Sequence, residues 1–385
     1  MIPRTAASPT PILFAAPDIR DEDVAAVTRV LRSGWITTGS ECVQFEQELA
    51  AYLGGDVEVV AVSSCTAALE IASAYYKLGP GNKIGIPTWT FASTALAVMR
   101  QGATPVLLDV APDTLNIDQH SLERALESSD LDAVVLVHIG GVPVPAEVRQ
   151  LCEARGIPTI EDAAHALGAN DERGKIGSAA SATCFSFYAT KNLTSGEGGA
   201  LTTTDSDLAR FARSFRLHGL STDAYLRYEP GCSAEYDLVE GGLKANLPDL
   251  LAALARTQLR RFDTSQARRR SLLNRYRRNL ASIAGIEPIP RAAADNSADH
   301  LMLVLLPKSV ERERLRTLMS ADGIGTSVHF RPLHSFTWLK GRTELAPGGV
   351  PTADEMRPRI LSLPLHTRLS DADVDYICSR LALHL

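Results

Sequence analysis

Between residues 57 and 162 the sequence alternates short apolar runs with amphipathic ones, and this alternation restricts the fold more than any other feature. The runs at 57–62, 83–86, 105–110, 133–139 and 158–161 are rich in valine, isoleucine and leucine, and segments of helical spacing separate them. Strands joined by helices of this length pair in parallel through right-handed crossovers, in a sheet buried on both faces. Ligands of such sheets sit beyond the carboxyl ends of the strands. Thr66, Trp89, Phe91, His138, Asp162 and Lys191 all fall at such ends or just past them. That shared placement marks one site rather than several.

Within the site the richest stretch is Cys184 to Ala200, CFSFYATKNLTSGEGGA. It starts as an apolar strand and breaks into a polar turn carrying Lys191. A lysine just past a buried strand is partly desolvated, which disfavours the ammonium and frees the amine to attack a carbonyl. The alternative is a solvated surface lysine. A second constellation, Glu161-Asp162-Ala163-Ala164-His165, ends another strand. A buried carboxylate needs a partner, and a cationic ring nitrogen supplies one; capping the following turn is the competing role. Val57 to Val62 runs into Ser63-Ser64-Cys65-Thr66-Ala67 and then a helix, a geometry that presents backbone N–H groups to an anion. No full dinucleotide or nucleoside-triphosphate fingerprint accompanies that turn, so the expectation is a cup for a single phosphate.

At 385 residues the chain exceeds one simple core, and the pattern changes near Asn246. Expected are an N-terminal arm (1–17), a large domain (18–255) and a small C-terminal α/β domain (256–385), the latter with strands at 301–306 and 326–330. A long helix is expected from Asn246 to about Phe262. The run Arg268 to Arg278 reads as a solvated helix face. The glycine-bearing stretch 219–245, including Gly231, reads as a long loop or hairpin. Ser33 to Gly39 reads as a loop that contacts a ligand, or as a plain turn. A net charge of −6 argues against nucleic acid or an anionic membrane as the main partner. Six cysteines (Cys42, Cys65, Cys152, Cys184, Cys232 and Cys378) stand apart without a CxxC pair, which fits reduced thiols and no metal site. No membrane span and no basic-then-apolar leader pattern is present, so a cytoplasmic location is expected.

A reactive lysine, a buried carboxylate, a phosphate cup and an aromatic plate are together what pyridoxal 5'-phosphate (PLP) requires. The motifs SGWITTG (33–39), VSSCTAALE (62–70), PTWTFAST (87–94), EDAAHALGA (161–169), FSFYATKNLTSGEGGA (185–200), NLPDLLAAL (246–254) and GIGTSVHF (323–330) occur in an order and spacing that resembles the DegT/StrS-type PLP-dependent sugar aminotransferases. The resemblance spans nearly the whole chain. It implies fold type I: a large domain with a mostly parallel seven-stranded sheet between helices, plus the smaller C-terminal domain. SGWITTG, EDAAHA, HGL (218–220) and NLPDL look closest to members that aminate C4 of a nucleotide-linked 4-keto sugar, such as those making 4-amino-4-deoxy-arabinose on UDP.

Carried onto this sequence, the resemblance implies that Lys191 bonds the cofactor and then moves the proton. Asp162 keeps the pyridine nitrogen protonated and His165 lies near the ring hydroxyl. Thr66, Ala67 and Ser186 hold the phosphate, joined by Asn246 from the partner subunit of a homodimer with shared active sites. Phe91 stacks on the ring with Trp89 beside it. The candidates for the substrate side are Trp35, Thr37, Tyr188, His329 and Arg331, the last suited to a diphosphate or carboxylate, or else to a structural ion pair. L-Glutamate is the implied donor, with the cofactor cycling through pyridoxamine 5'-phosphate (PMP), and a UDP- or TDP-linked keto sugar is the acceptor. The phosphate turn departs from many relatives in reading SSCT, and Leu243-Lys244-Ala245 replaces a frequent tyrosine. Amination at C3, a dehydratase on the same fold and a non-catalytic PLP-binding regulator are the alternatives. Lys191 counts against the dehydratase, whose lysine is replaced by histidine.

Overall fold

The computed structural model describes residues 11–128, 130–221 and 235–385. The first ten residues of the expected arm, and Gly231 and Cys232, lie outside the described residues.

Helices α1 (Asp21–Ser33) and α2 (Ser40–Leu53) lead into the alternation. It runs β1 (Glu58–Val62), α3 (Cys65–Tyr75), β2 (Lys83–Pro87), α4 (Ala92–Arg100), β3 (Thr104–Leu108), α5 (Gln119–Ser128), β4 (Ala133–Val137), α6 (Ala146–Glu153) and β5 (Thr159–Asp162). A small hairpin, β6 (Asn170–Asp171) and β7 (Gly174–Lys175), precedes β8 (Thr183–Ser186), β9 (Gly199–Thr203) and α7 (Ser206–Phe215). Beyond these come α8 (Asp249–Arg260), α9 (Phe262–Leu280), β10 (Glu287–Ile289), β11 (Met302–Leu305), α10 (Arg312–Ala321), β12 (Glu344–Leu345), α11 (Pro351–Met356), β13 (Ile360–Leu363) and α12 (Asp371–His384).

The main sheet has the order β1-β9-β8-β5-β4-β2-β3-β12. All neighbours are parallel except β9, which runs antiparallel to both β1 and β8. Burial on both faces explains the unbroken apolar strands: all five residues of β4, Ala-Val-Val-Leu-Val, are buried. The seven-stranded expectation is corrected to eight, because Glu344 and Leu345 add an edge strand beside β3. A second sheet, β10-β11-β13, is antiparallel and packs with α9, α10 and α12 around its own core, which includes Tyr276, Met319 and Ile377.

Three local expectations change. Residues 326–330 form no strand; only Ser327 bridges, to Ser362, and the backbone then turns toward the main sheet. The helix expected from Asn246 starts at Asp249, with Pro248 extended at its N-cap, and breaks at Arg261 before α9. The arginine run is not a freely solvated face. Arg268 bonds Asp371 (2.8 Å) and Arg275 bonds Asp375 (2.7 Å), tying α9 to α12, while Arg269 is buried with its Nη1 on the Leu365 carbonyl (3.1 Å). The domain boundary drawn at 255/256 falls inside α8. No helix among the described residues is long and apolar enough to cross a membrane.

Candidate active site

Side chains alternate faces along a strand, and at the end of β5 this separates two adjacent carboxylates. Glu161 pairs with Arg173 at 2.7 Å, whereas Asp162 opens into a cavity of about 480 Å³ at the carboxyl ends of the strands. Thr66, Phe91, His165, Ser186 and Lys191 line the same cavity, as the sequence led us to expect. Tyr188 and His329, expected on the substrate side, line it as well.

The Asp162 carboxylate is held from several directions. Its Oδ2 accepts the Thr94 hydroxyl at 2.8 Å, and the Thr94 oxygen lies 2.8 Å from that of Thr90. Because a carboxylate only accepts, the hydrogens run from Thr90 to Thr94 to Asp162. Oδ1 accepts the Ala164 N–H at 3.2 Å, so the turn-capping role weighed above is filled by one oxygen of the same group. The Cys65 thiol lies 3.7 Å from Oδ1 and 3.3 Å from the Cys184 carbonyl.

The Lys191 side-chain amine makes no hydrogen bond or ion pair with the described residues. Burial pulls its pKa down to about 8, with Cys65 and Asp162 acting weakly in the opposite direction. An amine of this pKa is about one-tenth free base at pH 7, against less than a thousandth for an ordinary lysine. Acylation of Lys191 in the cofactor-free protein should therefore quicken about tenfold per pH unit up to pH 8 and then level off. Peptide mass mapping after brief anhydride pulses at a series of pH values measures this; a rise continuing to pH 10 refutes the buried amine.

The turn expected to hold a phosphate lies where β1 runs into α3. Ser64 caps the helix, its Oγ accepting the Ala67 N–H at 3.1 Å, and Ser64, Cys65 and Thr66 form the wall. Ala67, expected at the cup, is instead buried, its amide taken by Ser64. The turn rests directly on β9. A Cβ built on Gly199 falls 2.5 Å from the Ser64 carbonyl carbon and 2.6 Å from the Cys65 nitrogen, so only glycine allows this approach. Gly199→Ala should cost about 1–3 kcal/mol of stability and weaken phosphate binding. Thermal melting and titration with inorganic phosphate report both, and an unchanged variant contradicts the close packing.

Four histidines line the cavity: His138, His165, His300 and His329. His165 accepts the Gly140 N–H on Nδ1 (3.3 Å) and stacks on Phe330 at 5.6 Å. Burial, then Lys191 and His329, hold its pKa well below the usual histidine value. His329 is lowered to about 4 by burial and Lys191, and its Nδ1 lies 2.9 Å from the Ser362 hydroxyl. His300, absent from the expected set, also lines the cavity.

Other expected residues stand elsewhere. Trp89 is fully buried behind the wall, donating its indole N–H to the His329 carbonyl at 3.1 Å. Phe91, at the mouth, is 60% exposed and tilts against Phe330. Trp35 and Thr37 are not on the cavity of their own chain: Trp35 bonds the Thr38 carbonyl (3.0 Å), and Thr37 accepts the Asp249 N–H (3.1 Å). Asn246 joins that cluster by donating to the Thr38 hydroxyl (2.6 Å). Arg331 is turned away, bonding the Ser335 hydroxyl (2.9 Å) and lying 5.0 Å from the Phe336 ring centre. Sequence reasoning missed His300, Phe330 and Thr94. The last two lie inside motifs that had been singled out, but His300 sits in a stretch with no local signal.

An eight-stranded, mostly parallel sheet whose strand ends set a lysine amine, without a partner among the described residues, near a buried aspartate is the architecture of the PLP-dependent transferases. The sequence profile of the DegT/DnrJ/EryC1/StrS aminotransferase family matches residues 17–382, and the chain belongs to that family. The spore coat polysaccharide biosynthesis protein SpsC of Bacillus subtilis (strain 168) is 39% identical over 369 residues, covering 94% of each chain. Spr1654 of Streptococcus pneumoniae, solved in its PMP form, superposes with a TM-score of 0.88 at 30% identity over 97% of this chain and 98% of its own. DesI, solved in the presence of its TDP-sugar product, gives 0.85 at 30% identity over 98% and 94%.

Proposed function

We propose that this enzyme transfers the amino group of L-glutamate to C4 of a nucleotide-linked 4-keto sugar, using PLP that cycles with PMP. The observation that carries the reading is the low-pKa Lys191 amine, without a partner among the described residues, on one cavity with the buried Asp162 carboxylate. The sugar nucleotide is supported by the TDP-sugar of DesI and the polysaccharide role of SpsC. C4 rests on the motifs quoted above.

The residues present fit the cofactor. Ser64, Thr66 and Ser186 with the first amides of α3 would hold the phosphate, on a turn that Gly199 keeps open. Phe91 would cover the ring, and Asp162 would keep a proton on the ring nitrogen. When bound, PLP supplies an aldehyde for the donor's amino group and a ring that takes up the electron pair left at the donor's α-carbon. Lys191 would then serve as the base that lifts the α-proton and returns it two atoms further on, across the amino nitrogen. His165, whose Nδ1 is occupied by the Gly140 N–H, has its hydrogen on Nε2 and would donate to the ring hydroxyl. Tyr188 and His329 would face the sugar.

Asn246, with Trp35 and Thr37 close by, would complete the cavity of the other subunit in a homodimer. The division into arm (1–17), large unit (18–255) and small unit (256–385), and a cytoplasmic location, belong to the same reading. The test is amination of UDP- and TDP-linked 3-keto and 4-keto sugars with 15N-glutamate, the labelled carbon being read by NMR. Label at C3, or in no sugar, overturns the assignment.

A further inference from the structure

We propose that His300 is a substrate-binding residue whose Nε2 lone pair accepts a hydrogen bond from a hydroxyl of the sugar, and that Asn192 fixes the tautomer that leaves this lone pair bare. The inference rests on the sugar reading of the same cavity and names a contact within it.

The Ala298 carbonyl oxygen can only accept, and two side-chain amides converge on it: Asn192 Nδ2 at 2.6 Å and Gln266 Nε2 at 2.8 Å. Both amides must therefore turn their NH₂ groups toward Ala298. Asn192 Nδ2 spends its second hydrogen on Gln266 Oε1 at 2.9 Å. The Asn192 oxygen is left facing His300 Nδ1 at 2.8 Å. An amide oxygen carries no hydrogen, so Nδ1 must, and the neutral ring then has a bare nitrogen at Nε2. This nitrogen has no partner among the described residues, while the ring lines the cavity. A second proton there would add charge beside Lys191 and Arg269; burial, then His165 and Lys191, keep the ring neutral.

His165, its ring centre 4.4 Å away, has the reverse arrangement. Two adjacent imidazoles thus offer one donor and one acceptor, each assigned by a backbone or amide group behind it. The acceptor selects its ligand by charge. An imidazole lone pair repels carboxylate and phosphate oxygens, so neither the carboxylates of the amino donor nor a diphosphate fits there. Apart from its reacting amino group the amino donor offers nothing else, whereas a sugar carries hydroxyls.

The test separates the two half-reactions in the cofactor-loaded enzyme. His300→Phe keeps a packed ring but removes the acceptor. It is expected to lower kcat/KM for the keto sugar about 10–100-fold, as for a buried donor left unpaired, with the glutamate half-reaction within about threefold of wild type. His300→Gln, which restores an acceptor, should recover part of the loss. Equal losses in both half-reactions would mean that His300 merely supports His165, and no loss in either would mean that no hydroxyl is held; both overturn the proposal. Long-range 15N–1H spectra of the loaded wild type read the tautomer without turnover: hydrogen on Nδ1 is expected, and hydrogen on Nε2 refutes it. A wild type that aminates no keto sugar defeats the functional reading itself and removes the hydroxyl as ligand. An active wild type with an unaffected Phe variant defeats only the role of His300.

Discussion

Lys191→Ala is expected to retain cofactor through the phosphate cup and yet to lose turnover by about 10⁴-fold or more. The size of the loss reflects two functions residing in one amine. The Lys191 amine makes no bond to the described residues, and burial leaves its pKa at about 8, so near neutrality a tenth of it is ready to accept a proton. Two histidines and the aspartate of the cavity are poor replacements. His165 and His329 are held neutral but are weakly basic, and Asp162 is engaged by Thr94 and Ala164. Single-turnover spectra of the loaded protein after glutamate addition measure the loss. A variant that still bleaches the cofactor band within tenfold of the wild-type rate would remove Lys191 from the mechanism.

Asp162→Asn is the second large effect, with an expected fall in kcat of about 10²–10³-fold. The substitution preserves shape but reverses the polarity behind it. Thr94 would have to accept from the new amide, and its own hydrogen would turn back toward Thr90, undoing the ordered run of hydroxyls that ends at the carboxylate. It also removes a negative charge that acts to raise the Lys191 pKa. With that charge gone the lysine pKa moves further down, so the acylation profile of the cofactor-free protein should level off below pH 8. The two readouts are independent: one requires cofactor and substrate, the other neither. A fall in kcat with an unshifted acylation profile would mean that Asp162 acts on the cofactor alone.

The polar groups of the site differ in how far sequence could locate them. Asp162, Lys191, Phe91 and Thr66 lie at or just past the ends of β5, β8, β2 and β1, respectively, and a parallel sheet brings the carboxyl ends of its strands to one edge. Ser186 and Tyr188 come with Lys191, and His165 with Asp162, because a few residues of chain cannot carry them far. Ala67 misses the cavity by one position, since Ser64 takes its amide to cap α3. Trp35, Thr37, Asn246 and Arg331 were placed by motif resemblance without a strand end to hold them. In the structure the first three form a cluster around Thr38, and Arg331 turns to Ser335. The arginines of α9 looked solvated because the aspartates that pair with them lie about a hundred residues later, in α12.

The sequence by itself determined the parallel α/β core, the end of the sheet at which the cavity opens, and the lysine and aspartate that line it. Each depends on local periodicity plus one general rule of chain connection. Tertiary structure alone decided the antiparallel insertion of β9 between β1 and β8, the edge strand β12, and the hydrogen directions at Thr94, His165 and His300. Those depend on which groups from distant segments face each other. A histidine's tautomer is settled by whatever sits across its ring, and for His300 that is an asparagine 108 positions earlier in the chain.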